Sequence, residues 1–388
     1  MELTRRDFLK MVSYAGGSLY GAGWLRGARA LWAGPSYPDL VVAQQGSPAE
    51  MTRAAVQALG GIERFVKPGQ KVVIKANFSW ANPPKLATST NPEVVAALVQ
   101  LCKQAGARRT VVLDHVIDGL EACLRETEMR AAVLAAGGEI RGYQEEASQY
   151  QETSLEPGVP LRSVQVLKEV KEADVLINVP IAKHHSSTRL TLSMKNLMGV
   201  IRDRGAFHAR DLSGLIAELS RVVRPNLILI DAVRILMDGG PENRSGTAPV
   251  AQANKVIAST DPVAADSYAA TLFPKVLEGK NVSHILKAYQ LRVGEIDINK
   301  LQIMLVNAQE VAPPPVTSPP AGKAPSPGDE GLAAPPGTTT AVGTPDLGVY
   351  RGYVYVPAAG ILAGLGLIIA RRIWLSRPKR LANPGENV

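Results

Sequence analysis

Cysteine is scarce: the 388-residue chain has only Cys102 and Cys123, alongside five histidines. Two thiols cannot build a four-thiolate zinc or iron–sulfur site, so no iron–sulfur cluster is bound by this chain alone. Cys102 sits among Val95, Leu98 and Val99 at helical spacing, which predicts a core position. A Cys102–Cys123 disulfide stays open in an oxidising compartment. Also absent are a Walker loop, a Gly-x-Ser-x-Gly elbow and a His-Glu-x-x-His pair, the common signatures of nucleotide binders, serine hydrolases and zincins. Gly21-Ala22-Gly23 imitates a dinucleotide fingerprint but precedes no strand–helix unit. Charge is missing from the body as well. The formal net charge is +8, yet residues 1–30 carry +3 and residues 351–388 carry +5, leaving a neutral middle. A neutral body lacks the basic face that nucleic acid requires, so no nucleic-acid partner is expected.

The charge at the two ends has a topological meaning. Thr4-Arg5-Arg6-Asp7-Phe8-Leu9-Lys10, a weakly apolar Gly-rich segment and Ala28-Arg29-Ala30 follow one another as a twin-arginine signal peptide with a small-x-small cleavage site, over residues 1–30. That route carries folded proteins. At the other end, residues 311–348 hold ten of the 28 prolines among Gly, Ser, Thr and Ala. Such a segment cannot bury enough apolar surface to order itself and reads as a disordered spacer. Gly352 to Ala370 is nineteen uncharged, mostly apolar residues, enough for one transmembrane helix. The basic tail 371–388, with Arg371, Arg372, Arg377, Lys379 and Arg380, stays cytoplasmic by the positive-inside rule. The expected topology is a single-pass protein of the cytoplasmic membrane with its globular part on the periplasmic side.

That globular part, residues 38–308, reads as α/β with a mostly parallel sheet flanked by helices. Apolar runs at 39–43, 71–76, 110–113, 161–166, 175–179, 226–230 and 255–258 predict strands. Between them lie helical stretches opened by Ser47-Pro48, by Asn91-Pro92 and by Asp261-Pro262, with others over 128–136 and 211–222. Strands alternating with helices imply right-handed crossovers. Residues 140–160 are polar and aperiodic and read as a loop or an inserted edge.

Successive strands end on polar residues: Asn77, Asp114-His115, Lys183-His184-His185, Asp231 and Asp261. In a parallel sheet these ends share one rim, where ligands of α/β proteins sit. Asp261 before Pro262 is equally a helix cap, and His284, in a late helix, reads as surface. Side chains alternate along extended backbone, so one of His184 and His185 is expected to reach the rim. His115, His184, His185 and His208 fall in rim loops, where a neutral imidazole can ligate metal or shuttle protons. Lys195, in Lys195-Asn196-Leu197-Met198-Gly199, can hold an anion or form a covalent link if burial lowers its pKa. Thr88, Ser89, Thr90 and Asn91 at a helix start form an anion seat. The expected site therefore has His185, Lys195 and His208 as catalytic groups. Asn77, Lys183, Asn196 and Asp231 hold a cofactor or small anionic ligand, and His185, His208 and His115 face a transition metal.

VVIKANF, TNPEVVAALV, ADVLINVPIAKHH, TLSMKNLMGVI and ASTDPVAAD, in that order, resemble the domain-of-unknown-function family 362 over about residues 38–308. Members of that family are often fused to or encoded with ferredoxin-like iron–sulfur modules, so the resemblance implies such a protein as a partner. A second likeness is to the nickel-pincer lactate racemase superfamily, in which a His, a cofactor-bearing Lys and a nickel-binding His follow a strand end. His185, Lys195 and His208 stand in that order here, with Ser193-Met194 where that pattern has glycines. The resemblances imply an enzyme of redox or isomerase type on a small anionic ligand. The alternative is a non-catalytic ligand-binding or assembly component of a membrane iron–sulfur or respiratory complex.

Overall fold

The computed structural model describes residues 37–155 and 161–311. The expected signal (1–30), the spacer after Val311, the span (352–370) and the basic tail lie outside the described residues. Among the described residues no helix is long and apolar enough to cross a membrane.

The chain opens with β1 (Leu40–Gln44) and α1 (Pro48–Ala58). Ser47 caps α1 through a reciprocal box: its hydroxyl accepts from Glu50 N at 3.2 Å, and Glu50 Oε2 accepts from Ser47 N at 2.8 Å. β2 (Lys71–Lys75), α2 (Pro92–Gln104) and β3 (Arg109–His115) follow, then α3 (Leu120–Glu126), α4 (Met129–Ala135) and β4 (Glu139–Tyr143). β5 (Tyr150–Ser154) pairs antiparallel with β6 (Ser163–Leu167) as a separate two-stranded sheet. The stretch 140–160, expected as a loop or an inserted edge, supplies most of β4 at the sheet edge and all of β5. Both are half exposed and polar, which hides the strand signal.

After α5 (Lys168–Lys171) come β7 (Val175–Asn178), β8 (Ile181–His185) and β9 (Arg189–Thr191). The short α6 (Ser193–Asn196) runs into a 3-10 turn, Leu197–Val200, and α7 (Arg204–His208) and α8 (Leu212–Val222) complete the stretch. The described residues close with β10 (Leu227–Leu236), β11 (Val250–Ser259), α9 (Pro262–Ala270), α10 (Ser283–Gln290) and β12 (Ile303–Asn307).

The main sheet runs β12-β1-β11-β10-β7-β2-β3-β4. From β10 to β4 every pairing is parallel; β11 is antiparallel to both its neighbours. The expected α/β class with a mostly parallel sheet flanked by helices therefore stands, with an antiparallel insertion. Because successive strand residues face opposite sides, Leu40 and Val42 enter one core while Val41 and Ala43 enter the other. Helices α1, α2 and α4 close the second core, and α8, α9 and α10 close the first.

One departure shapes the site. Pro180 ends β7 as expected, but the chain re-enters the sheet at once. β8 pairs with the far half of β10 (Asp231 opposite Ile181, Leu236 opposite Lys183) and with β9. Lys183-His184-His185 is therefore strand, not loop, and β10 runs through Asp231 rather than stopping there. Edge pairing with two partners replaced the ladder that proline removed. His284, expected at the surface, is fully buried in α10.

Candidate functional site

A cavity of about 510 Å³ opens at the carboxyl ends of β2, β3 and β8, bounded by α6 and α7. Strand periodicity selects its lining. Lys183 and His185, two apart on β8, both face it, while His184 between them turns away and accepts from Gly240 N at 3.1 Å. Asp114 faces it and its neighbour His115 does not.

The floor is a closed polar network. Lys75, fully buried at the end of β2, pairs with Asp114 Oδ1 at 2.8 Å and donates to Asn196 Oδ1 at 3.1 Å. Burial drives its pKa down, with the Asp114 charge opposing. Asp114 Oδ2 accepts from Phe78 N (2.8 Å) and Ser79 Oγ (2.7 Å), so the carboxylate is spent within the fold. Asn196 ties α6 to two strand ends, accepting from Asn77 Nδ2 at 3.0 Å and donating to Asn178 Oδ1 at 2.8 Å. Asp266 on α9 fixes the other end of α6, accepting from Ser193 N at 2.7 Å and Met194 N at 3.1 Å.

Above this floor three cations have no ion-pair partner among the described residues, although the Asp114 charge acts on Lys183 and Arg204 from a distance. Lys183 Nζ donates to Thr88 O (2.6 Å) and Asn77 Oδ1 (3.3 Å), both neutral acceptors, and burial takes its pKa down to about 7. Lys195 is 8% exposed and has no hydrogen-bond or ion-pair partner among the described residues. Burial, then the charges of Arg204 and Lys75, take it to about 8. Among the described residues Arg204 donates only to the His115 carbonyl, at 3.4 Å, and burial lowers its pKa, with the charges of Asp114 and Glu145 opposing.

The two cavity histidines lie 6.4 Å apart, ring planes 19° from parallel. Ser187 N donates to His185 Nδ1 at 3.1 Å, so the neutral ring carries its proton on Nε2 and acts as a donor. Burial and Lys195 push His185 down to about 2, keeping it neutral across any working pH. His208 is exposed at the rim, its pKa lowered by partial desolvation, Lys195 and Arg204.

Of the residues expected from sequence, Asn77, Lys183, His185, Lys195, Asn196 and His208 meet in this cavity. His115 and Asp231 do not. His115 is buried behind Asp114, its Nδ1 3.3 Å from Ile201 O and its ring 6.5 Å from Tyr150. Asp231 is fully buried under the start of α2, accepting from Asn91 N at 2.7 Å and Val233 N at 3.0 Å. The anion seat expected at Asn91 is thus filled by the protein's own carboxylate, whose pKa burial raises to about 6. Asp261 is the cap of α9, accepting from Val263 N and Ala264 N. The expected metal set of His185, His208 and His115 does not converge. No group of three or more His, Cys, Asp or Glu among the described residues is placed to hold a metal. With the His185 Nδ1 lone pair committed and three cations around it, the cavity does not fit a bare transition-metal ion. Cys102 and Cys123 are free and buried, both thiols pushed up to about 12 by burial.

Lys75, Ser79, Arg204 and Asp266 were missed as site residues. Lys75 and Asp266 had a signal: a charge inside an otherwise buried run, VVIK and PVAADSYAA. Arg204 had none, because only a long-range contact, with the His115 carbonyl, brings it in.

The fold and site define an α/β protein with a cation-lined cavity at the strand ends. The chain belongs to the DUF362 family, described as a domain of unknown function, whose model matches residues 72–271. Among curated proteins it is similar to a thylakoid-associated protein of Synechocystis sp., 28% identical over 212 residues. That match covers 51% of this chain, and the chain spans 62% of the relative's length. Among solved structures it is similar to the lactate racemase apoprotein from Thermoanaerobacterium thermosaccharolyticum, with 11% identity, a TM-score of 0.37 and coverage of 57% of this chain and 54% of that one. A structural-genomics protein from Thermotoga maritima gives 12%, 0.37, 54% and 55% in the same order.

Proposed function

We propose that this DUF362 protein is an acid–base enzyme of isomerase type that binds a small organic anion, a carboxylate or phosphate, in the strand-end cavity. The observation that carries this is the pair Lys183 and Lys195: both are buried, both face one cavity, and among the described residues neither forms an ion pair, although Asp114, Glu145 and Glu242 also line that cavity. A buried lysine without a counter-charge is unfavourable when protonated, and a bound anion supplies the missing charge. Arg204 adds a planar donor for a carboxylate or phosphate, and the neutral His185 adds an Nε2–H donor. Groups that change protonation near neutrality in a cleft are suited to moving protons. The chain itself is exported by its twin-arginine start and held at the membrane by residues 352–370. The cyanobacterial relative is named a thylakoid-associated protein.

The sign of the pH dependence follows from the two lysines. Their pKa values are depressed to about 7 and about 8 in the free protein, and an anion favours the charged forms. Binding therefore takes up protons from about pH 7 upward and weakens as pH rises through about 7 and 8. Titration calorimetry of lactate, malonate and phosphate, in buffers of different ionisation enthalpy, reads both quantities. Lys183→Met and Lys195→Met should each weaken the bound anion by about 10- to 100-fold, from a charged hydrogen bond of about 1.5–3 kcal/mol. If no small anion binds, or if the double variant binds as well as the parent, the reading is wrong.

A further inference from the structure

We propose that Lys195 is an amine nucleophile that forms a Schiff base with a small carbonyl-bearing anion, a 2-oxo acid, held in the strand-end cavity. The inference rests on the anion-binding reading of that cavity and adds the covalent step and the substrate class.

The geometry separates the three cavity lysines by what their Nζ atoms do. Lys75 is locked against Asp114 and Asn196. Lys183 is held by Thr88 O and Asn77 Oδ1. Lys195 faces the same cavity with no hydrogen bond or ion pair among the described residues. Its nitrogen is thus the one whose lone pair is uncommitted once the proton is gone. The backbone below it is rigid, because Asp266 caps the start of α6 and Asn196 pins its end. An amine beside other cations in a desolvated pocket is the environment in which lysine becomes a nucleophile toward carbonyls. With a pKa of about 8 roughly a tenth of Lys195 is free amine at pH 7, about two hundredfold more than an ordinary lysine offers.

The remaining groups divide the work. Lys183 and Arg204 are placed to hold the carboxylate, leaving the adjacent carbonyl carbon for Lys195. The Lys195 lone pair attacks that carbon, the C–N bond forms, and the C=O π pair passes to oxygen. His185, a donor through Nε2–H, stabilises the developing oxyanion. The nitrogen gives up its proton, with His208 at the rim as acceptor, and the oxygen takes protons and leaves as water. The ammonium form plus the ketone yields the protonated imine plus water, with no oxidant or reductant required. The imine acidifies the neighbouring C–H, which suits proton transfer to His208 at the rim, since His185 has both ring nitrogens committed.

Borohydride trapping on the purified full-length protein tests this. The protein is incubated with pyruvate or glyoxylate, reduced with sodium borohydride and mapped by peptide mass spectrometry. The expected result is a reduced adduct on Lys195 that forms at least about tenfold faster than on exposed lysines, as its larger free-amine fraction demands. Excess malonate should suppress it. Lys195→Arg, checked for an unchanged melting temperature, should lose the fast adduct. Labelling confined to exposed lysines, or a fast adduct that survives in Lys195→Arg, overturns the proposal. If lactate stabilises the parent protein but no Lys195 adduct is trapped, the Schiff base fails and anion binding stands. If lactate, malonate and phosphate leave it unaffected as well, both fail.

Discussion

A single missing side chain makes room for the charged pair under the cavity. A Cβ on Gly199 would lie 2.5 Å from Asp114 Oδ1 and 2.7 Å from Lys75 Nζ. The 3-10 turn Leu197–Val200 therefore packs directly on the Lys75–Asp114 pair, and no larger residue fits without moving one of its members. Gly199→Ala should destabilise the domain by about 1–3 kcal/mol through overpacking, read as a lower denaturant midpoint. An unchanged midpoint would mean that the turn does not sit on the pair. His284 illustrates the opposite difficulty. Its surroundings in sequence, Asn281-Val282-Ser283, look exposed, yet the ring is fully buried, and burial with the nearby Lys195 charge drives its pKa down to about 3. Nothing local marks that position as interior.

Short elements carry the chemistry here, and they depend on longer ones for their placement. Helix α6 is one turn long and could not persist alone, since nucleating a helix costs more than a single turn returns. Asp266, one helix away, supplies the acceptor for its first amides. Removing that carboxylate leaves two buried donors unpaired, so Asp266→Ala should cost about 1–3 kcal/mol and displace Lys195 from the cavity. Burial raises the Asp266 carboxyl to about 7 and Asp231 to about 6. A raised carboxyl means that the folded state keeps a proton which the unfolded chain releases. These groups therefore lower stability as pH rises from about 4 to about 7. Melting curves across that window should show the slope in the parent protein and only the Asp231 part of it in Asp266→Ala. An identical slope in both would remove Asp266 from the account.

On the scale of the whole chain, charge sits at the ends and the catalytic candidates sit in the middle. The body is formally neutral, while the two terminal segments carry the excess of +8. We propose that the tail 371–388 lies in the cytoplasm and the α/β domain outside it, on the positive-inside rule and the twin-arginine pattern taken together. A topology reporter fused after Val388 should read cytoplasmic, and replacing Arg5-Arg6 by Lys-Lys should retain the domain inside the cell. A periplasmic reading at the C-terminus would reverse the proposed orientation.

Local rules made much of this protein legible in advance. The caps of α1, α2 and α9 are read from Ser47-Pro48, Asn91-Pro92 and Asp261-Pro262, because a cap involves neighbours two or three residues apart. The divergence of His184 and His185 follows from a two-residue period, and the family follows from motifs in order. What those rules could not supply is any pairing across distance. Asn91 receives Asp231 from 140 residues away, Lys75 meets Asn196 across 121, and Arg204 reaches His115 across 89. Likewise β8 became a strand only because β10 and β9 offered it edges. Such partners are chosen by the packing of the finished sheet and its helices. Residue type set which groups could carry charge, and the tertiary structure decided which charges were compensated and which were left facing the cavity.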